Sequence, residues 1–176
     1  MKFYHVMDGY IAFLRQYDSK VADNKKGTRP YVGVVLIIDG AKYYAPFSSP
    51  KPKHRFMKNG KDFRKIGDGR YGAINLNNMI PVPDAALIPI NIPREPDPKY
   101  RRLLQNQYLY VQADWEAIEK AGKALYKLIL SDDSGLTEHD RHVKARCCNL
   151  MLLKSVFNGW NGGTVYNPYI TVRQDF

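Results

Sequence analysis

Two hydroxyls and four potential cations stand together in Phe47-Ser48-Ser49-Pro50-Lys51-Pro52-Lys53-His54-Arg55, where an apparent β-hairpin ends. Such a cluster, stiffened by two prolines, suits a phosphodiester better than an apolar ligand. Cutting RNA without a metal asks three things of a site. The neighbouring 2′-hydroxyl must lose a proton, the leaving 5′-oxygen must gain one, and the phosphorane charge must be stabilised. Lys51, Lys53, His54 and Arg55 offer the last, and Arg29 joins them if the loop before the first hairpin strand meets the loop after the second. An antiparallel ribbon with strands of nearly equal length has that property, since its two outer ends lie side by side. Ser49 can donate to a phosphate oxygen or accept from a 2′-hydroxyl, but its own hydroxyl is too weak a base and needs Lys51 or His54 nearby. The ordinary alternative is that Ser48 and Ser49 form a turn before proline and that the lysines are a solvated basic loop.

The elements that would position these groups read as follows. Lys2 to Met7 is a short strand, and Tyr10, Phe13, Leu14 and Tyr17 recur at helical spacing behind an Asp8 cap. A polar loop from Asp18 to Arg29 precedes the runs Tyr31 to Ile38 and Ala41 to Phe47, which flank Asp39-Gly40, a strong hairpin signal. Lys51 to Arg70 has the composition of a mobile basic loop suited to close over RNA, with Lys53, Arg55, Lys58, Arg64 and Lys65 as phosphate contacts. Tyr71 to Ile80 predicts a strand and Ala86 to Ile92 one or two more, before Pro93, Pro96 and Pro98 break the pattern.

From Tyr100 the period becomes helical. Leu103, Leu104, Tyr108 and Val111 share one face, and Tyr100-Arg101-Arg102 at its head offers two more phosphate-binding cations. Asp114 opens a second helix bearing Trp115, Ile118, Leu125 and Ile129. Thr137 with Asp140 resembles a capping box for a third, which carries Val143, Cys147, Leu150, Met151 and Phe157. Strands followed by segregated helices predict an α+β fold with an antiparallel sheet in one domain spanning 1–176, with an irregular tail from Asn158 and a short strand at Tyr169 to Arg173.

Composition narrows the partner. Across 176 residues, 27 lysines and arginines oppose 17 acids, a formal net charge of +10, and the sequence pI near 9.5 favours a polyanion, with nucleic acid ahead of an anionic membrane surface. No apolar run approaches the ~20 residues of a spanning helix, and the N-terminus lacks a secretory apolar region, so the expected location is the cytoplasm. Adjacent Cys147 and Cys148 fit a reducing compartment and helix packing better than a disulfide. His139 and His142 with those cysteines lack a zinc-binding spacing, the acids do not cluster as two-metal nucleases require, and no phosphate-cradling glycine loop is present. No cofactor is expected. Most of the 13 tyrosines read as core, although aromatics among cations also stack unpaired bases.

At these residues the chain resembles the ToxN/AbiQ family of endoribonuclease toxins from type III toxin–antitoxin systems, in which a repetitive RNA neutralises the toxin. The likeness covers residues 1 to 157 and is carried by Met1-Lys2-Phe3-Tyr4, by Tyr31 to Leu36 leading through Lys42-Tyr43 and Ala45-Pro46 to Ser49-Pro50-Lys51, by Gly72 to Leu76 with Met79-Ile80-Pro81, and by Tyr100 to Leu104 with Gln107. Pro52 departs from the family pattern, and the tail beyond Gly159 has no counterpart there. The resemblance implies a barrel-like β core of the Kid/MazF toxin type with peripheral and C-terminal helices. It also implies metal-independent cleavage of single-stranded, A-rich RNA to 2′,3′-cyclic phosphate and 5′-hydroxyl ends. Ser49 would hold the essential serine position, Ser48 the preceding hydroxyl, Lys51 the active-site lysine and Arg29 a basic position before the first hairpin strand, with His54 also matching a family position. The implied partners are a pseudoknotted repeat RNA antitoxin, its precursor and messenger RNA, in simple pairs or closed rings, and the implied role is phage defence by abortive infection or maintenance of a plasmid or locus. A non-catalytic RNA-binding module is the alternative that composition alone allows.

Overall fold

Strand β1 (Phe3–Val6) begins the chain, in a computed structural model that describes residues 2–24 and 27–162. It turns directly into helix α1 (Asp8–Arg15), which buries Tyr10, Ile11 and Leu14. Met7 rather than Asp8 occupies the cap position, and the Asp8 carboxylate instead accepts from Asn24 Nδ2 at 2.7 Å. The hairpin forms as its sequence predicts, with β2 (Tyr31–Ile38) and β3 (Ala41–Ser48) antiparallel. Asp39 and Gly40 have φ of 44° and 78°, the left-handed values that a two-residue primed turn needs.

Pro46 sits in the middle of β3 without damage to the ladder. It faces Tyr31 at a pair where the next amide, that of Phe47, donates to the Pro30 carbonyl at 2.8 Å. The missing N–H therefore points to the other edge, at a position where no strand pairs among the described residues. That edge is filled on either side by β5 (Ala73–Asn75) against Phe47 and Ser48, and by β6 (Ile80–Pro81) against Tyr43 and Tyr44. The strand predicted over Tyr71 to Ile80 is thus two short strands. The 3₁₀ turn Leu76–Asn78 between them lets one segment step along β3.

The segment Lys51 to Arg70 is not a mobile loop. It holds helix α2 (Pro52–Phe56) and strand β4 (Phe63–Lys65), which pairs with β5, and it buries His54, Asp62 and Ile66. Pro52 takes the first helical position, where a missing N–H costs nothing and the fixed φ is already helical. With β7 (Leu87–Pro89) on β1, the strands run β4-β5-β3-β2-β1-β7, an antiparallel sheet curled into a half-barrel and left open at its two ends.

Helices α3 (Pro98–Ala113) and α4 (Trp115–Leu130) follow, with α4 against β2. Asp114 stands between them, as its predicted place required. Its carboxylate accepts from Arg64 Nε and Nη2 at 2.9 and 2.6 Å instead of capping the helix. The predicted third helix is broken in two, α5 (Glu138–Arg146) and α6 (Leu150–Val156). Thr137 Oγ1 caps the first by accepting from the Asp140 amide at 3.1 Å. Asn149 caps the second, because the intervening amides are used elsewhere: Cys148 N donates to Asn77 O and Asn149 N to Asp18 Oδ2. Both cysteines are free and buried at this break. The predicted strand at Tyr169 to Arg173 lies outside the described residues. Among the described residues no helix is long and apolar enough to cross a membrane.

Candidate active site

The register of three strands brings the site together. Tyr31 is paired on one side with Tyr4 and on the other with Pro46, so the chain just before it, Arg29-Pro30, runs between the end of β1 and the end of β3. Arg29 Nη1 donates to the Phe47 carbonyl at 3.1 Å and its Nε to the Asp23 carbonyl at 2.7 Å, which fixes the guanidinium beside the strand that leads to Ser49. On the other side, His5 Nδ1 lies 3.3 Å from the Arg29 carbonyl oxygen. Phe3 and His5 share one face of β1, since side chains alternate along a strand. Phe3 is buried there, edge-on to Phe47 at 4.9 Å and to Tyr108 of α3 at 5.7 Å, so α3 covers the face on which His5 stands.

These elements enclose a cleft of about 520 Å³ whose lining includes His5, Arg29, Ser49, Glu95, Asp97, Tyr100 and Gln107. That volume falls in the range of pockets that hold a small ligand or a nucleotide, ~300–1,000 Å³. Ser49 is exposed at its mouth, Arg29 half-buried in its wall. Gln107 is buried, its Nε2 donating to the Tyr71 carbonyl at 2.8 Å, while its Oε1 has no hydrogen-bond partner among the described residues. Burial holds the His5 imidazole below its ordinary pKa, opposed by the bond to the Arg29 carbonyl and by the Glu95 charge. Burial and Glu95 both push the Tyr100 hydroxyl up.

The other residues singled out in the sequence divide by position. Ser48 ends β3, half-buried and paired with Ala73. Lys51, Lys53, Arg55 and Lys58 are exposed on α2 and its flanks, a run of cations that follows Ser49 in sequence but does not line the cleft. His54 lies outside the cleft. Its side chain is buried, edge-on to Phe63 at 5.6 Å with Nδ1 unpartnered among the described residues, and burial reinforced by the Lys51 and Lys53 charges keeps its pKa below the ordinary value. Arg64 and Lys65 line a different recess near the start of α4, where Arg64 is committed to Asp114. Arg102 lines a neighbouring, mostly apolar groove with Lys2, Phe3 and Tyr108, and Arg101 is half-buried on α3 beside it. His5 and Glu95 are cleft residues that the sequence did not single out, and Gln107 stood out there only as part of the family likeness, with no role in the site. The only signal for His5 was its alternation with Phe3 on β1.

A family model described as Toxin ToxN, type III toxin-antitoxin system, matches residues 2–158. The chain belongs to the ToxN family. Endoribonuclease ToxN of Pectobacterium atrosepticum is 31% identical over 140 residues, covering 74% of this chain and 82% of that protein. Endoribonuclease ToxN of Bacillus thuringiensis subsp. kurstaki is 32% identical over 158 residues, 87% of this chain and 80% of the relative. Endoribonuclease AbiQ of Lactococcus lactis subsp. lactis is 34% identical over 148 residues, 77% and 79%. A solved structure concerned with selective toxin inhibition by a non-coding RNA pseudoknot in type III systems superposes with a TM-score of 0.79 at 30% identity, covering 90% of this chain and 96% of that one. A structure of AbiQ, a lactococcal anti-phage endoribonuclease, superposes at 0.71. As a ToxN-family member the chain is an endoribonuclease toxin of the type III class, and its half-barrel with C-terminal helices is the family fold.

Proposed function

We propose that the cleft at the hairpin mouth cuts single-stranded RNA by attack of its own 2′-oxygen, leaving 2′,3′-cyclic phosphate and 5′-hydroxyl ends. The observation that carries this reading is the convergence of Ser49 and Arg29 on one nucleotide-sized cleft, with Lys51 and Lys53 two and four residues beyond the serine. Arg29 and Lys51 stabilise the charge that builds on the phosphorane, and Ser49 hydrogen-bonds the phosphate or the 2′-hydroxyl. Because the nucleophile is the ribose hydroxyl, the reaction needs no metal-activated water. Ser48 and His54 support the turn that presents Ser49 and Lys51. Lys53, Arg55 and Lys58 draw the RNA strand along α2, with Arg101 and Arg102 as further phosphate contacts on α3.

The partner that best fits a basic chain of this family is a pseudoknotted repeat RNA held in the same cleft as substrate, whose precursor the toxin also processes. The relatives' description as targets of RNA pseudoknot inhibition and as an anti-phage endoribonuclease supports that reading, and with it a role in abortive infection within the cytoplasm. A-rich single strands are the expected substrates, and rings of alternating toxin and RNA an expected assembly.

The test is cleavage of single-stranded RNA by purified protein in EDTA. Ser49→Ala and Lys51→Ala should each lower the rate by roughly 10²- to 10³-fold, with unchanged thermal melting, since both side chains are exposed. Products ending in 3′-hydroxyl groups, or both variants cutting at the native rate, would refute it. RNA affinity should fall steeply with salt as phosphate contacts release counterions.

A further inference from the structure

We infer that His5 is the general base of this cleft, its Nε2 taking the proton from the attacking ribose 2′-hydroxyl; the inference rests on the cleavage reading above. A backbone carbonyl can only accept, so the contact between Nδ1 and the Arg29 carbonyl requires the proton to be on Nδ1. In the neutral ring that leaves the lone pair on Nε2, which no described residue hydrogen-bonds. The ring belongs to the lining of the cleft that also contains Ser49 and Arg29, whereas His54 is buried outside it. Burial keeps the imidazole neutral near pH 7, the state that a base requires.

The same backbone segment fixes both parts of the machinery. Arg29 offers its carbonyl to His5 while its guanidinium is anchored on Phe47, so the base and the phosphate-facing cation are set by one residue's position. In the reaction the 2′-O–H proton passes to Nε2 as the 2′-oxygen bonds to phosphorus and the P–O5′ bond breaks. The leaving 5′-oxygen takes a proton from water, and the hydroxide formed removes the proton from the imidazolium, which restores the neutral ring. The ionisable groups that share the cleft with His5 among the described residues are Arg29, Glu95, Asp97 and Tyr100. Glu95 favours the imidazolium and therefore steadies it once formed.

His5→Asn and His5→Gln test this, the first because its amide retains a donor for the Arg29 carbonyl and removes the base. Single-turnover cleavage of a single-stranded RNA that the wild type cuts should fall ~10²- to 10⁴-fold in both. Affinity for the same RNA with a 2′-deoxy substitution at the cut site should stay unchanged. The wild-type rate should decline as pH falls through the imidazole's pKa, below 6.5, and that acid limb should vanish in both variants. A substrate with sulfur in place of the leaving 5′-oxygen should leave the variants' defect intact. Rescue by that substrate would make His5 an acid for the leaving group and overturn the assignment, as would native rates and an intact acid limb. If the wild type cleaves no RNA, it is the cleavage reading that falls.

Discussion

The Arg29 guanidinium donates to the Phe47 carbonyl at 3.1 Å, which ties the loop before β2 to the end of β3, while a second bond from the same guanidinium reaches the Asp23 carbonyl. Two of its five N–H groups are spent on holding the cleft's shape, and on the proposed reading the others serve the anionic phosphate. A lysine cannot do both, because its three donors radiate from one nitrogen and lack the planar fork. Arg29→Lys is therefore expected to lower kcat/KM by about 10- to 100-fold despite the conserved charge, which steady-state kinetics beside a thermal melt will show. Native activity would mean that the cation at this position acts by charge alone.

Gly72 supports the serine turn from beneath. Its φ is +93°, and a Cβ there would overlap the Ser48 carbonyl oxygen and approach Pro50 N to 3.2 Å. Gly72→Ala should cost about 2–3 kcal/mol through strain at a left-handed position and displacement of the turn. In a chain of this size that lowers Tm by roughly 4–12 °C. Activity measured well below the new Tm should also fall, since Ser49 moves with Ser48. A variant with native activity and stability would show that the turn adapts freely.

The hairpin and its mouth were legible because Asp39-Gly40 leaves one turn geometry open and antiparallel strands of eight residues must then bring Arg29 beside Phe47. Ser49 and Arg29 followed from that. His5, Glu95 and Gln107 did not, since each reaches the cleft through long-range pairing: β1 inserted between β2 and β7, and α3 laid over the sheet face. Lys51 to Arg70 read as a loop because α2 and β4 are five and three residues long, too short for a periodic signal. The buried Asp62 there is explained only by Arg146, 84 positions away. The break after α5 escaped because apolar spacing runs straight through it, while the amides of Cys148 and Asn149 bond to partners far back in the chain.

That ion pair yields a stability prediction away from the cleft. Arg146 Nε and Nη2 donate to the two Asp62 oxygens at 2.5 and 2.9 Å, and the Asp62 side chain is only 7% exposed while Arg146 is half exposed. Arg146→Ala strands a carboxylate with little access to water and is expected to cost about 1–3 kcal/mol, less than a fully buried pair because solvent reaches the guanidinium. Removing Asp62 as well should recover part of the loss, a coupling readable from denaturation of the two single variants and the double. RNA cleavage should be unaffected, as neither residue lines the cleft.

Buried tyrosines set an alkaline limit. Tyr10 donates to the Pro81 carbonyl at 2.5 Å, Tyr31 and Tyr43 have buried hydroxyls without a partner among the described residues, and burial pushes all three pKa values up, with Tyr44 raised to about 12. In the unfolded chain these phenols ionise near 10. The folded state therefore holds protons that the unfolded state releases, so stability is intact below pH 10 and is lost as pH rises from 10 through 12, at about 1.4 kcal/mol per pH unit for each such ring. Cooperative unfolding by circular dichroism should begin in that window, with tyrosinate absorbance from these rings appearing together with it. Tyr43→Phe deletes an unpartnered hydroxyl, so it should be neutral or stabilising at pH 7 and should move the alkaline midpoint upward. A midpoint unmoved by Tyr43→Phe would mean that the lysine ion pairs, which also weaken above pH 10, set the limit instead.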